Sequence, residues 1–380
     1  MNTSGIQVPT TIEKQLQAEL GAKSFFWYGR AATALYYAYC AIVEKYKHIS
    51  EPEIILPAMS CATPANVALQ AGLKVRFADI DINSGLITPE TVKARFNENT
   101  IAVLFIHLYG NTQNLEPLKN WCIQNQVALI EDLAQSLGGV FPNGKPMGFY
   151  GDFSVYSFNP TKIIETGGGL LLLKNENYAD ILCELQDKLP IEEVSGNVIK
   201  KLALSYRDMH HYMVSLLRNR DMSSQHLNRI FLKTRGVYDL LNFRKFRNAE
   251  PLENSWQKLP EILEDRKKKA SIYESLLGNH NDYWQILDNG KESNVCWRFS
   301  LIIKNPDKLV EFSEIIRKDG FHVSNLYWTL NDFFYPEDVC PKAEDFSRGI
   351  VNLWVNANVE DEYVENCAKS LLKHKNILKQ

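Results

Sequence analysis

The sequence predicts an α/β protein, a three-layer αβα arrangement around a mainly parallel mixed sheet, with a smaller C-terminal α+β domain. Between residues 53 and 132, apolar runs of strand length alternate with helical stretches, which is the pattern of strands joined by crossover helices. Beyond residue 250 a long helical stretch gives way to short strands and helices in mixed order. The 380 residues suit one large and one smaller domain, and the mix of 45% hydrophobic and 23% charged residues excludes disordered, collagen-like and coiled-coil chains. The expected boundary lies at about residue 250. Residues 1–250 are expected to form a large domain that includes a basic helical segment at about 195–245, and residues 251–380 the linking helix and small domain.

Each element follows from local pattern. Residues 30–46 read as a helix and Glu53-Ile-Ile-Leu-Pro57 as a buried strand. A helix at 63–71, a strand at 74–81, a helix from Pro89, a strand at 100–107 and a helix at 115–125 lead to the strand Val127–Asp132. Apolar runs at Asp152–Phe158 and Leu170–Leu173 flank a loop with Lys162 and Gly167-Gly168-Gly169. Leu202, Tyr206, Met209, Met213 and Leu216 recur at helical spacing. A single helix over 252–277, a strand at 294–303, a helix at 306–318, strands at 321–325 and 349–355 and a helix at 360–375 complete the chain.

Charge and cysteine usage exclude several classes. The net charge of −3 is too small for a nucleic-acid-binding protein as a whole. The longest apolar stretch, Ala31 to Val43, falls short of the roughly 20 residues a membrane span needs. The first residues have no apolar signal core, so a cytoplasmic protein without an integral membrane segment is expected. Seven scattered cysteines without a C-x-x-C pair argue for reduced thiols, and no metal-ligating motif is present. Between Lys200 and Arg247, eleven Lys and Arg face three Asp, a local excess read as solvated amphipathic helices or as a field for an anionic acceptor.

In open α/β sheets ligands bind beyond the carboxyl ends of the strands, which singles out His107, Asp132 and the segment after Phe158. Lys162, in Ser157-Phe-Asn-Pro-Thr-Lys162 before a glycine turn, suits Schiff-base chemistry, although a lone loop lysine is more often simply solvated. Asp132 fits either a helix N-cap or a carboxylate that keeps a pyridine nitrogen protonated. Gln135 follows three residues later and faces the same region. Tyr28-Gly29-Arg30-Ala31 opens a helix whose N-terminal N–H groups suit a phosphate, to which Ser157 adds a hydroxyl. Tyr327 and Trp328 read either as substrate-side aromatics or as core.

In this order and spacing, three stretches resemble a known family: His107-Leu-Tyr-Gly110; Ile130-Glu-Asp-Leu-Ala-Gln-Ser-Leu-Gly138, similar to E-D-x-A-Q-x-x-G; and Gly151-Asp152 through Ser157-Phe158 to Pro160-Thr-Lys162 and Gly167-Gly-Gly169. The chain resembles the DegT/DnrJ/EryC1/StrS sugar aminotransferases, pyridoxal 5'-phosphate enzymes of the aspartate aminotransferase fold, fold type I. The resemblance implies that Lys162 carries the cofactor, Asp132 partners the ring nitrogen, Gln135 meets the ring hydroxyl side and Ser157 holds the phosphate. It also implies an Asn242 that reaches the neighbouring subunit's phosphate, hence a homodimer with shared sites.

Three departures stand beside the match. Gly29-Arg30-Ala31-Ala32 replaces the family's S-G-T opening, with Arg30 in place of the hydroxyl contact. Met59-Ser60-Cys61 occupies the place of a ring-stacking aromatic, and the glycine turn lacks the usual acidic residue. The implied function is amino transfer, from glutamate, to a keto group of a nucleotide-linked sugar in surface-polysaccharide or secondary-metabolite biosynthesis. The alternatives are a lyase or dehydratase with the same cofactor, and a non-catalytic regulatory protein on the same scaffold. Lys162 speaks against the dehydratases, which by resemblance carry histidine there.

Overall fold

The computed structural model describes residues 10–187, 249–287 and 294–379, with isolated helical positions between 201 and 212. The helical run from Leu202 to Leu216, nearly all of the basic segment and Asn242 fall outside the described residues.

Seven strands form the large sheet: β1 (Ser24–Tyr28), β2 (Glu53–Pro57), β3 (Lys74–Ala78), β4 (Thr100–Ile106), β5 (Ala128–Asp132), β6 (Phe153–Ser157) and β7 (Gly169–Leu173). Their order is β1-β7-β6-β5-β4-β2-β3, parallel from β6 through β3, with β7 antiparallel to both of its neighbours. The mixed αβα expectation therefore holds. Every residue of β2, β4, β5, β6 and β7 is buried, which is why these strands read as continuous rather than alternating apolar runs. Helices α1 (Thr10–Leu20), α2 (Ala31–Lys45), α3 (Thr63–Gln70), α4 (Pro89–Lys93), α5 (Glu116–Gln124) and α6 (Ala179–Asp187) accompany the sheet.

Helix α1 and strand β1 are absent from the sequence reading because α1 is polar overall. It contributes only Ile12, Leu16 and Leu20 to the core, one residue per turn on a single stripe. The expected helix over 252–277 is two helices, α7 (Glu250–Gln257) and α8 (Leu259–Leu277). Pro260, in the first turn of α8, has no N–H to continue the ladder of α7, so the first helix ends and the second starts at Lys258.

The small unit is a four-stranded antiparallel sheet in the order β10 (Val323–Ser324), β11 (Ile350–Leu353), β9 (Phe299–Ile303) and β8 (Trp284–Ile286). It packs with α8, α9 (Leu309–Lys318) and the last long helix (Asp361–His374) around Tyr273, Trp284, Phe299, Phe312 and Leu371. The strand expected over 294–303 begins only at Phe299. Its first half is drawn to the Tyr109 turn instead, where the Trp297 N–H donates to the Tyr109 carbonyl at 3.2 Å. Gly110 permits this approach: at φ +88° it has no side chain, and a Cβ there would meet Asn294 and Val295 at 2.8 Å.

The segment 326–343 returns to the large sheet. The Leu330 N–H donates to the Ala58 carbonyl at 2.8 Å, and Asp338 accepts from the Phe77 N–H at 2.7 Å and from Arg76 Nη2 at 2.8 Å. Tyr327 is thereby held over the carboxyl ends of the strands. Among the described residues no helix is long and apolar enough to cross a membrane, and no group of three metal-ligating side chains is assembled.

Candidate active site

The parallel strands deliver the predicted residues to one rim. Cys61 follows β2, His107 follows β4, Asp132 ends β5 and Ser157 ends β6. Asp132 stands in register with Ile106 and Val155, so its carboxylate rises between two flanking strands. One oxygen accepts from the Ala134 N–H at 2.8 Å, the local turn contact that the N-cap reading anticipated. The other makes no hydrogen bond among the described residues. Burial raises the Asp132 carboxyl above the ordinary aspartate range, against the lowering pull of the Ala134 N–H and of the charges of Lys162 and His107.

Lys162 lies in the turn after β6, behind Thr161 at φ +74°. A β-branched residue in the left-handed region is strained, and such strain persists only where the surroundings impose it. Here the Trp297 indole N–H donates to the Thr161 carbonyl at 2.7 Å. The Lys162 amine lies 5.9 Å from the centroid of the same indole. Burial pushes that amine below the ordinary lysine range, with Cys61 and Asp132 acting in the opposite direction and Arg298 and Arg30 reinforcing it. The lysine and the aspartate of the sequence reading are thus close enough for their charges to act on one another.

Three adjacent strands build a cup beside them, because Ser157 pairs with Gly169 and Gly169 with Tyr28. Gly29, Arg30 and Ala31 continue from Tyr28 into α2, whose first turn has no side-chain cap, and Arg30 bridges to Gly168. A Cβ on Gly169 would lie 2.3 Å from the Ala31 nitrogen, so only glycine lets the helix start approach the strand. Ser157, Gly29, Arg30 and Ala31, scattered in the sequence, are brought together.

Gln135 is engaged at both ends: it accepts from the Tyr109 N–H at 2.7 Å and donates to the Tyr327 hydroxyl at 3.0 Å. Cys61 sits near enough to Lys162, Tyr39 and Tyr327 for its charge to act on all three. His107 faces Glu131 at 3.1 Å, and its ring packs on Phe105 and Phe141. Trp328 is a core residue, buried with its indole donating to Asp332 at 2.8 Å.

Sequence reasoning missed several residues around the site. Tyr109 stacks between Trp297 and Phe346, and its hydroxyl donates to the Leu326 carbonyl. Tyr39 of α2 is fully buried with its hydroxyl unpartnered among the described residues, within reach of the Asp132 and Cys61 charges. Trp297 and Arg298 lay hidden in a run read as uniform strand. The signal that marks them is an arginine inside an otherwise apolar run, since a buried charge needs a reason.

A lysine and a carboxylate converging beside an anion-suited helix start, at the carboxyl ends of a mixed seven-stranded sheet, define an α/β protein of the aminotransferase architecture. The chain belongs to the DegT/DnrJ/EryC1/StrS aminotransferase family, whose profile matches residues 3–203. Among its relatives, GDP-perosamine synthase of Vibrio cholerae is 34% identical over 125 residues, 33% of this chain and 34% of that protein. The UDP-4-amino-4,6-dideoxy-N-acetyl-beta-L-altrosamine transaminase of Campylobacter jejuni is 31% identical over 194 residues, 50% of this chain and 48% of that one. The matched stretches thus span half or less of these relatives. In fold, the chain is similar to Helicobacter pylori PseC, an aminotransferase involved in the biosynthesis of pseudoaminic acid. Its TM-score is 0.75 at 20% identity, covering 98% of this chain and 92% of that one.

Proposed function

We propose that the protein is a pyridoxal-phosphate-dependent aminotransferase that takes an amino group from an amino acid, glutamate by family resemblance, and delivers it to a keto group of a nucleotide-linked sugar. The observation that carries the reading is that the Lys162 amine lies within charge range of the Asp132 carboxylate, one oxygen of which makes no hydrogen bond among the described residues.

The residues fit the cofactor. Asp132 would hold the proton of the ring nitrogen, Gln135 would stand on the ring hydroxyl side, and Ser157 with the uncapped start of α2 would hold the phosphate. When bound, the cofactor supplies an electron sink for the carbanion that forms at the substrate carbon. Burial favours the neutral form of the Lys162 amine, which lets it take the proton from that carbon and return one. Cys61 and Tyr39 lie beside these groups, Cys61 within charge range of Lys162 and Tyr39 within charge range of Asp132. Lys162 also favours transfer over dehydration, because the dehydratase branch carries histidine by resemblance.

The acceptor class rests on the activities of the relatives, a GDP-sugar synthase and a UDP-sugar transaminase. A cytoplasmic homodimer, Asn242 reaching the neighbouring subunit's cofactor phosphate, a cofactor contact for His107 and a domain division near residue 250 belong to the same proposal. The test is to incubate the purified protein with glutamate and then with a panel of keto-sugar nucleotides, following the cofactor spectrum. Glutamate should bleach the oxidised form and one keto sugar should restore it. Failure of every amino donor to change the spectrum would refute the reading.

A further inference from the structure

The segment 326–343 crosses the carboxyl ends of β2 and β3 as a strap held at three places. At its near end the Leu326 N–H donates to Asn352 Oδ1 at 2.9 Å. The Tyr327 hydroxyl accepts from Gln135 at 3.0 Å, and its own proton has no acceptor among the described residues. In its middle Thr329 pairs with Met59, and the Leu330 N–H donates to the Ala58 carbonyl at 2.8 Å. Met59 is two residues from Cys61, so the strap that carries Tyr327 also supports the turn that carries Cys61.

The far end is held by charge. β3 is an edge strand, and the strap covers its outward groups: the Phe77 N–H donates to Asp338 at 2.7 Å, and the Phe77 carbonyl accepts from Arg95 Nε at 2.8 Å. The Asp338 side chain is only 1% exposed and receives both prongs of the Arg76 guanidinium, Nη2 at 2.8 Å and Nε at 3.1 Å. The Arg76 carbon also lies 5.3 Å from the centroid of Tyr335, on the same segment. A two-pronged pair fixes direction as well as distance, and a buried carboxylate stripped of its cation is costly to keep in place. Between this latch and the site the strap is tied to itself. The Trp328 indole and the Thr329 hydroxyl both donate to one oxygen of Asp332 at 2.8 Å, and a helical turn follows at Asn331–Phe334. A shift at Asp338 is therefore passed along the segment to Tyr327.

On the strength of the transaminase reading, we infer that Arg76 and Asp338 are positioning residues for the reaction: their ion pair at the edge of the sheet sets where the strap presents the Tyr327 hydroxyl at the site. Neither residue touches the reacting groups. Arg76 acts through Asp338, Asp338 through the strap, and the strap through Tyr327 against Gln135.

The test uses the full-length holoenzyme with Arg76→Gln, which leaves Asp338 its bond from Phe77, and Arg76→Lys as the conservative variant. Hydrogen exchange read by mass spectrometry should show the Leu326 and Leu330 amides exchanging about tenfold faster in Arg76→Gln, with β5 and β6 unchanged, because only the strap opens. The rate at which glutamate bleaches the cofactor should fall about tenfold to a hundredfold, as when a contact is misplaced by about 1 Å. Arg76→Lys should recover part of that rate. Tyr327→Phe should slow the same step, and the double variant should be no slower than Tyr327→Phe alone. A purely structural latch would lower the unfolding midpoint and leave the folded, loaded enzyme as fast as wild type, which would overturn the inference. So would a Tyr327→Phe enzyme of full rate, slowing factors that multiply in the double variant, or unaltered exchange at the two amides. If no amino donor bleaches the wild-type cofactor, the transaminase reading fails and the inference with it, while the exchange result shows separately whether the latch holds the strap.

Discussion

The Nε2 atom of His107 lies 3.1 Å from Oε2 of Glu131, with both side chains wholly buried. Successive residues of a strand point to opposite faces, so Glu131 and Asp132, adjacent in sequence, serve different purposes. Asp132 rises toward Lys162. Glu131 accepts from the N–H groups of Gly148, Tyr150 and Gly151 and fixes the loop that leads into β6.

This buried pair predicts acid sensitivity. Burial alone would raise the Glu131 carboxyl, but the His107 hydrogen bond and charge, Lys174 and the Gly151 N–H outweigh it and hold the group below its ordinary 4.5. A depressed carboxylate contributes stability above its unfolded value and loses it as pH falls toward the folded one. Glu131→Gln should therefore unfold with a shallower loss of stability below pH 4.5 than wild type, measured by denaturant titration at a series of pH values. His107→Ala should cost about 3 kcal/mol at neutral pH, since it leaves a buried charge with one partner fewer.

Lys162→Ala should abolish the absorbance expected at about 420 nm for the lysine-bound cofactor. It should also eliminate turnover with glutamate, because the amine whose charge acts on Asp132 is gone. Full turnover in this variant would remove Lys162 from the chemistry.

Asp132→Asn keeps the side-chain shape and the Ala134 contact but removes the charge facing the ring nitrogen. Turnover should fall about a hundredfold or more, as when one preorganised electrostatic contact is lost, while the cofactor still binds. A variant with unaltered rate would mean that Asp132 serves only its turn.

Gly169→Ala should weaken retention of the cofactor during dialysis, with the circular dichroism of the fold preserved. The added carbon would press on the Ala31 nitrogen from 2.3 Å and push the start of α2 from Ser157. Retention equal to wild type would show that the cup does not hold the phosphate.

Sequence reading recovered most of the large sheet because its strands are buried on both faces and announce themselves as apolar runs of fixed length. It failed where an element is held by tertiary contact. Helix α1 lacks a broad apolar face, β8 is three residues long, and Asn294–Cys296 read as strand until Gly110 drew it to the Tyr109 turn. The site divides the same way. Lys162, Asp132, Gln135 and Ser157 were legible through motif and strand-end position. Tyr39, Tyr109 and Trp297 were not, being ordinary aromatic positions in linear order, and Arg298 was absorbed into a run read as strand.

From linear order alone came the α/β class, the family and the candidate site side chains, because hydrophobic period and residue type are local properties of a chain. The tertiary structure decided which cations and rings surround Lys162. Trp297 and Arg298 arrive from more than 130 residues away through the Tyr109 turn, and Tyr327 through the return of 326–343 to the large sheet. Such encounters depend on where separate elements pack, and no window of neighbouring residues contains that information.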